Sequence, residues 1–487
     1  MLFNTIDFVI FFIIVLITFV LIKNRKFHHI FLLLASYFFF YYSSNYLIIL
    51  LLFTTIWDYF FGRLIWRCPM PKKKLMLIIS LAGNLGLLGF FKYADFVIAQ
   101  YNWLGNMIGY GGNIPFLDLA LPIGISFYTF HSITYTVGIY RGQLEPAKSI
   151  LEYAIFVAFF PQLVAGPILR AKDFLPQLRE KLENSTSKLR LFVIHNVNLK
   201  MGITIMIFGF FKKMFFADNI SPLVNDVFNN PIGHESFTII LATIGFGIQI
   251  YCDFSGYTDI ALGAALIIGL KIPINFNKPY FATSPSDFWR RWHISLSSWL
   301  RDYLYIPLGG NKKSSKRTYI NLFVVMFLGG LWHGASWNFV IWGILHGIYL
   351  SVHRLIINRF PILNQTRFFK CKTGRIISII ITQYFVFLAW IPFRVKELDN
   401  AMYSMQKYVF IDFKIEEFIY FISSHKIPTL LIILFFILHF ISYKKSDIRE
   451  KATNLKLKYW FLFLLIMIIP ILFLYSGNPE DFIYFQF

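Results

Sequence analysis

Two histidines stand where histidine is costly. His333 lies in "FLGGLWHGASWN", residues 327–338, an apolar run with Gly329, Gly330 and Gly334 around it. His293 lies forty residues earlier, in "DFWRRWHISLSS". An imidazole inside hydrocarbon needs a partner or a use supplied by the protein, so such a residue is a functional candidate by default. Histidine titrates near neutrality and can take the proton of a hydroxyl, which suits general base catalysis of acyl transfer. The pair offers a base and a second polar group on different helices, with room for a substrate between them. A lone interfacial histidine also occurs for amphipathic reasons, and that plain reading stays open for His293. His346, thirteen residues past His333, is turned roughly 1300° from it on an ideal helix and reads as structural. His131 in "FYTFHSITY" reads as a satisfied core histidine.

Carboxylates are the second expense. In "IQIYCDFSGYTDIALG", Gln249, Asp253, Ser255, Tyr257 and Asp259 interrupt an apolar background, and Gly256 suggests a broken helix lining a cavity. The structural alternative is that Asp253 and Asp259 bond freed backbone amides or nearby arginines. Trp332 and Asn338, flanking His333, join these two as tunnel-lining or structural polar positions. The chain has no GxSxG elbow, Walker loop or GxGxxG, and Cys68, Cys252 and Cys371 match no zinc or disulfide spacing. That argues against an ATP-driven pump or a nicotinamide enzyme, and no metal is expected.

These groups need a scaffold, and composition names its class. Of 487 residues 57% are hydrophobic and 15% charged, the balance of an integral membrane protein. The opening run "TIDFVIFFIIVLITFVLI" lacks a basic leader and a small-residue cleavage site and reads as a retained first helix. Net charge is +21, but the basic residues cluster between apolar runs, in "KNRK" at 23, "PKKK" at 71, "NKKSSKR" at 311 and "YKK" at 443. That is the positive-inside pattern, so nucleic acid need not be invoked. Loop charge puts the N-terminus outside and the first two basic loops inside. The alternation fails at "LRAKDFLPQLREKLENSTSKLR", where an intervening half-span would repair it. The runs predict an all-α polytopic protein, a single domain over 1–487 with about eleven to thirteen transmembrane or re-entrant helices around a central tunnel.

Residues 272–318 are the least membrane-like part of the body and read as an interfacial or re-entrant segment. Ser286 and Asp287 are placed to cap one amphipathic helix from Phe288, with Trp289, Trp292, Leu296, Trp299 and Leu300 on its apolar face and Arg290, Arg291 and Arg301 opposite. The loop "GGNKKSSKR" that follows, with Lys312, Lys313, Lys316 and Arg317, is expected to face the cytoplasm. Residues 476–487 form a tail ending in "FIYFQF", too apolar to float in water. The tail is expected to start on the outer face and fold back into the tunnel mouth, with alternate residues gripping its wall and Tyr484 directed toward His333. A phenol is a better leaving group than an alcohol, which makes Tyr484 a candidate acyl relay. A plug or a docking strand is the plain alternative.

At these residues the sequence resembles a known family. "DFWRRWHISLSSWLRDYLYIPLGG" with "GGLWHGASWNFVIWG" is similar to the membrane-bound O-acyltransferases, in particular the bacterial alginate and peptidoglycan O-acetyltransferases. "LPIGISFYTFHSITY", "FFPQLVAGPILR", "YCDFSGYTDIALG" and "FIYFQF" carry the likeness further. The resemblance implies that His333 is the essential histidine and His293 the second, more variable active-site position. It also implies acetyl-CoA as donor, with no bound cofactor, a cell-envelope polysaccharide as acceptor, a periplasmic O-acetyltransferase as partner, and residence in the bacterial inner membrane. The loop lysines and Arg317 are then candidate contacts for the coenzyme A phosphates, with ordinary positive-inside topology as the alternative. Peptidoglycan is the favoured acceptor, with alginate or another exopolysaccharide as the alternative. A proton-coupled transporter and a scaffold for the periplasmic enzyme remain as readings of other classes.

Overall fold

The long apolar runs fold as helices. The computed structural model describes residues 1–22, 25–110, 112–163, 166–183, 196–361, 366, 371–445, 447–475, 477 and 480–485, and across them all regular structure is helical. Part of the basic loop at 23–26, the "VA" of "FFPQLVAGP", the stretch 184–190, Ser476 and the final Gln486 and Phe487 lie outside the described residues. Among the described residues six helical stretches are long and apolar enough to cross a membrane: Phe27–Arg67, Lys72–Met107, Ser236–Ile268, Trp337–Arg359, Lys372–Arg394 and Lys426–Lys444. Ile6–Leu21 and Leu457–Phe473 are shorter apolar helices. The protein is a multi-pass membrane protein of all-helical class.

Contacts divide the chain into two units, residues 1–206 with 257–273 and residues 207–256 with 274–487. In the first, the Ile125–Tyr140 helix is buried on every side from Ile125 to Ile139. His131 lies within it, its ring 6.0 Å from that of Phe156, the core position anticipated for it. Asp58 is also fully buried there and accepts hydrogen bonds from Ser80 Oγ and Asn84 Nδ2, both at 2.8 Å.

Three expectations change in the second unit. Ser236–Ile268 is one unbroken helix, so Gly256 marks no break. A Cβ there would come within 2.8 Å of the Gly209 carbonyl and 3.1 Å of Lys213, so the glycine serves a close approach of backbones. The amphipathic helix expected from Phe288 is instead two short helices, Pro285–Trp289 and Ile294–Leu300, followed by a π-helical turn at Arg301–Tyr305. Ser284, not Ser286, caps the first, its Oγ accepting from the Asp287 amide. Between them His293 adopts φ 41°, ψ 55°, a left-handed conformation that ends any continuous helical face. Asn275 holds this break: its carbonyl accepts from Ile294 N at 2.9 Å and its Oδ1 from Ser295 N at 3.1 Å. The third change concerns His346. The helix ends at His333 and a new one starts at Trp337, so a rotation carried past Gly334 has no meaning.

Candidate active site

His333 is the last residue of the Ser315–His333 helix, which starts from a Ser314 cap and runs antiparallel to Trp337–Arg359 after a three-residue connection. Close crossing of these helices sets where His333 points. A Cβ on Gly330 would meet the Phe339 carbonyl at 2.3 Å, and one on Gly343 the Met326 carbonyl at 2.6 Å, so both positions exclude a side chain. Of the glycines read in the sequence, Gly330 admits the neighbouring helix backbone, whereas Gly334 makes room for the Phe339 ring and Gly329 faces the Leu300 side chain. His333 is buried, with its ring 4.8 Å from Trp342, 5.1 Å from Phe393 and 5.0 Å from Trp332. All three meet at steep angles, the edge contacts worth about 0.5–1.5 kcal/mol each that hold an aromatic ring in one pose.

Asn338 has a structural task. Its Nδ2 donates to the carbonyls of Val395, at 2.6 Å, and Lys396, at 3.0 Å, just past the end of the Lys372–Arg394 helix. That fixes Phe393, one of the rings beside His333. His346 stands one ring behind: Trp342 lies 4.7 Å from it and 4.8 Å from His333.

His293 is fully buried, its ring edge-on to Phe254 at 4.7 Å and 6.1 Å from Trp332. Trp332 is thus a ring neighbour of both histidines. Among the described residues neither ring nitrogen of His293 has a hydrogen-bond partner. Burial pushes the imidazole down to about 3, so it is neutral at physiological pH.

Tyr484 joins the pair. Its ring lies 5.6 Å from His333, 6.3 Å from His293 and 4.7 Å from Phe254. Burial raises its phenol above the ordinary value, so it is protonated at neutral pH. The tail does not grip by alternation as expected. Ile483–Phe485 is a 3-10 turn, Phe482 and Ile483 are both buried, and the rings of Phe482 and Tyr484 stack at 5.5 Å.

Of the two acids, Asp253 belongs to this neighbourhood and Asp259 is buried in the first unit. Asp253 Oδ2 accepts from the Ile483 amide at 2.7 Å, and its Oδ1 pairs with Lys213 Nζ at 3.0 Å. Lys213 escaped the sequence reading, as did Glu480, whose carbonyl accepts from Lys213 Nζ at 2.9 Å. Two lysines inside the apolar run "FGFFKKMFFADN" were the available signal. Lys312, Lys313, Lys316 and Arg317 are all exposed, at and just before the start of the helix that ends in His333. Among the described residues no group of three or more His, Cys, Asp or Glu side chains is placed to hold a metal ion.

Two imidazole rings and a phenol ring thus come together in an all-helical chain with helices long and apolar enough to cross a membrane. The sequence model of MBOAT, the membrane-bound O-acyltransferase family, matches residues 144–397. The chain is 38% identical over 372 residues to a peptidoglycan O-acetyltransferase of Helicobacter pylori, a match covering 71% of this chain and 67% of that one. It is 39% identical over 356 residues to a Pseudomonas aeruginosa protein named "Probable alginate O-acetylase AlgI", covering 71% of this chain and 63% of that one. A teichoic acid D-alanyltransferase of Bacillus subtilis is 28% identical over 280 residues, covering 55% and 67%. The chain belongs to the membrane-bound O-acyltransferase family.

Proposed function

We propose that this protein takes an acetyl group from cytoplasmic acetyl-CoA and passes it across the bacterial inner membrane for O-acetylation of a cell-envelope polysaccharide, peptidoglycan in the first instance. The observation that carries the reading is the convergence of His293 and His333 on Tyr484. Coenzyme A is too large and too anionic to cross hydrocarbon, whereas an acetyl group is small. A site within the membrane therefore needs a relay that accepts only the acyl unit.

The chemistry divides among the three side chains. A phenol that stays protonated at neutral pH needs a base, and His333 takes its proton as the Tyr484 oxygen attacks the thioester carbonyl. The C–S bond breaks, the proton passes from His333 to the departing thiolate, and an aryl acetate remains on Tyr484. A hydroxyl of the acceptor, presented with a periplasmic transferase, then takes the acetyl group and the phenol is restored. His293, held neutral, orients or polarises the thioester and does not take the proton.

Acetyl is preferred to D-alanyl because the acetylating relatives match more closely, at 38% and 39% against 28%. The purified protein in nanodiscs with labelled acetyl-CoA tests the donor half: label is expected on the C-terminal peptide, and its absence from a folded protein that still supports acetylation removes the relay. Tyr484→Phe keeps the ring and deletes only the hydroxyl, so full polysaccharide acetylation by that variant ends the relay role. Mass spectrometry of wall fragments from a deletion strain tests the acceptor. Loss of glycan acetyl groups is expected. An unchanged wall with a deacetylated exopolysaccharide transfers the assignment to an alginate-like acceptor.

A further inference from the structure

The tail that carries Tyr484 is gripped by charge. Lys213 Nζ, on the π-helical stretch Phe211–Ala217, lies 2.8 Å from Asp218 Oδ1, 3.0 Å from Asp253 Oδ1 and 2.9 Å from the Glu480 carbonyl. Asp253 turns its other oxygen to the Ile483 amide at 2.7 Å. Ser221 Oγ donates to Glu480 Oε1 at 3.1 Å and accepts from Asn225 Nδ2 at 3.0 Å. Lys213 and Asp253 are almost wholly buried, 1% and 3% exposed at the side chain.

A buried ion pair is not an economical way to hold two helices together, because apolar residues of the same volume do as well or better. What this pair does that apolar residues cannot is bond main-chain groups of the tail at two points, the carbonyl of Glu480 and the amide of Ile483. The second point is adjacent to Tyr484. The π-helical distortion serves the same end: such bulges re-aim side chains and concentrate at functional sites, and Gly256 lets the Ser236–Ile268 helix come within reach of Lys213.

We infer that Lys213 and Asp253 form a clamp on the main chain of the C-terminal tail, and that this clamp positions the Tyr484 ring between His293 and His333 for acyl transfer. The inference rests on the function proposed above, and the two residues are positioning groups that act through Tyr484. A phenol displaced by about 1 Å from its attacking distance loses on the order of a hundredfold in rate.

Ile483→Pro tests the clamp without touching the buried charges. Proline removes the N–H that Asp253 accepts, and its fixed φ is compatible with the first position of a 3-10 turn. Ile483→Val, which keeps the N–H, is the control. A second route is the neutral pair Lys213→Met with Asp253→Leu, made together with Asp218→Asn because Lys213 also pairs with Asp218 and that carboxylate would otherwise be stranded.

The readouts are amide hydrogen exchange across residues 480–485 and labelled acetyl transfer. Ile483→Pro and the neutral pair are expected to raise exchange in the tail alone and to lower kcat about a hundredfold with KM for acetyl-CoA unchanged. In a Tyr484→Phe background neither change should cost anything more. Tail exchange that stays at the wild-type level in both variants overturns the clamp, and so does a loss that multiplies with that of Tyr484→Phe. Full activity of Tyr484→Phe alone overturns the relay, and the clamp is then judged on the exchange data.

Discussion

His333 and His293 approach the same phenol from backbones of opposite character. His333 closes a regular nineteen-residue helix, aimed by a glycine crossing and held among three rings. His293 sits at φ 41° in a break between two short helices, where a non-glycine residue costs roughly 1–2 kcal/mol. Strain of that size persists only where the surroundings enforce it, and here Asn275 does so through two hydrogen bonds. One histidine is placed by ordinary helix packing and the other by a distortion kept at a cost. The difference suits the tasks proposed for them: a proton acceptor fixed by packing, and a neutral group aimed by the chain itself.

The strongest way to break this comparison is to remove the base. His333→Ala is expected to lower acetyl transfer by about 10² to 10⁴, with thermal stability changed little beyond the loss of the ring's edge contacts. Wild-type transfer by the folded variant would falsify the assignment. Equal losses from His333→Ala and His293→Ala would instead make the two act as one unit.

His293 sharpens the comparison because its side chain and its backbone can be altered separately. His293→Asn tolerates the left-handed conformation and is expected to keep the fold while lowering transfer about tenfold, the smaller loss that suits an orienting group. His293→Val removes the ring to the same degree and adds backbone strain, for an expected extra loss of about 1–2 kcal/mol in stability. Comparable melting of the Asn and Val variants would show that the break does not enforce the strain.

Proton linkage gives a smaller effect. An unfolded histidine takes its proton near 6.5, whereas burial holds the folded His293 off until about 3. Between those values the unfolded chain binds more protons, so this contribution to stability is complete above about 6.5 and drains away as the pH falls toward 3. The slope is at most about 1.4 kcal/mol per pH unit. Thermal unfolding of wild type and His293→Asn from pH 7 to pH 4 measures it, and parallel curves would mean that His293 is protonated in the folded state.

The contrast also explains what the sequence could reveal. The helical class and the cost of His333 follow from hydropathy and from Gly329, Gly330 and Gly334, because regular helices leave a periodic trace. The break at His293 leaves none: Trp289, Trp292, Leu296 and Trp299 keep helical spacing straight across it. Asn275, which holds the break, is eighteen residues distant. Lys213 and Glu480 escaped for a related reason: the contacts that tie Lys213 to Asp253 and to the Glu480 carbonyl join positions far apart along the chain, and only Asp218 is a near partner. Asp253 was singled out as costly, yet the alternatives weighed for it did not include a lysine.

The exposed basic loop supplies the far reference for both histidines. Lys316 and Arg317 stand in the first turn of the helix that His333 ends, where positive charge opposes the helix dipole. Seventeen residues separate Lys316 from His333, about 25 Å along the axis and not far short of the roughly 30 Å of a hydrocarbon core. Four exposed basic side chains in one loop are the ordinary positive-inside pattern, so the charges are expected to set orientation and not to bind the donor. Replacing Lys312, Lys313, Lys316 and Arg317 with Gln should therefore change KM for acetyl-CoA by less than about twofold at physiological salt, where exposed charges are largely screened. The same variant should insert less uniformly, because the positive-inside signal is lost, which thiol labelling of a single-cysteine variant from either side detects. A tenfold rise in KM with uniform insertion would place the coenzyme A phosphates at the loop after all, with the long pantetheine arm carrying the thioester toward His333.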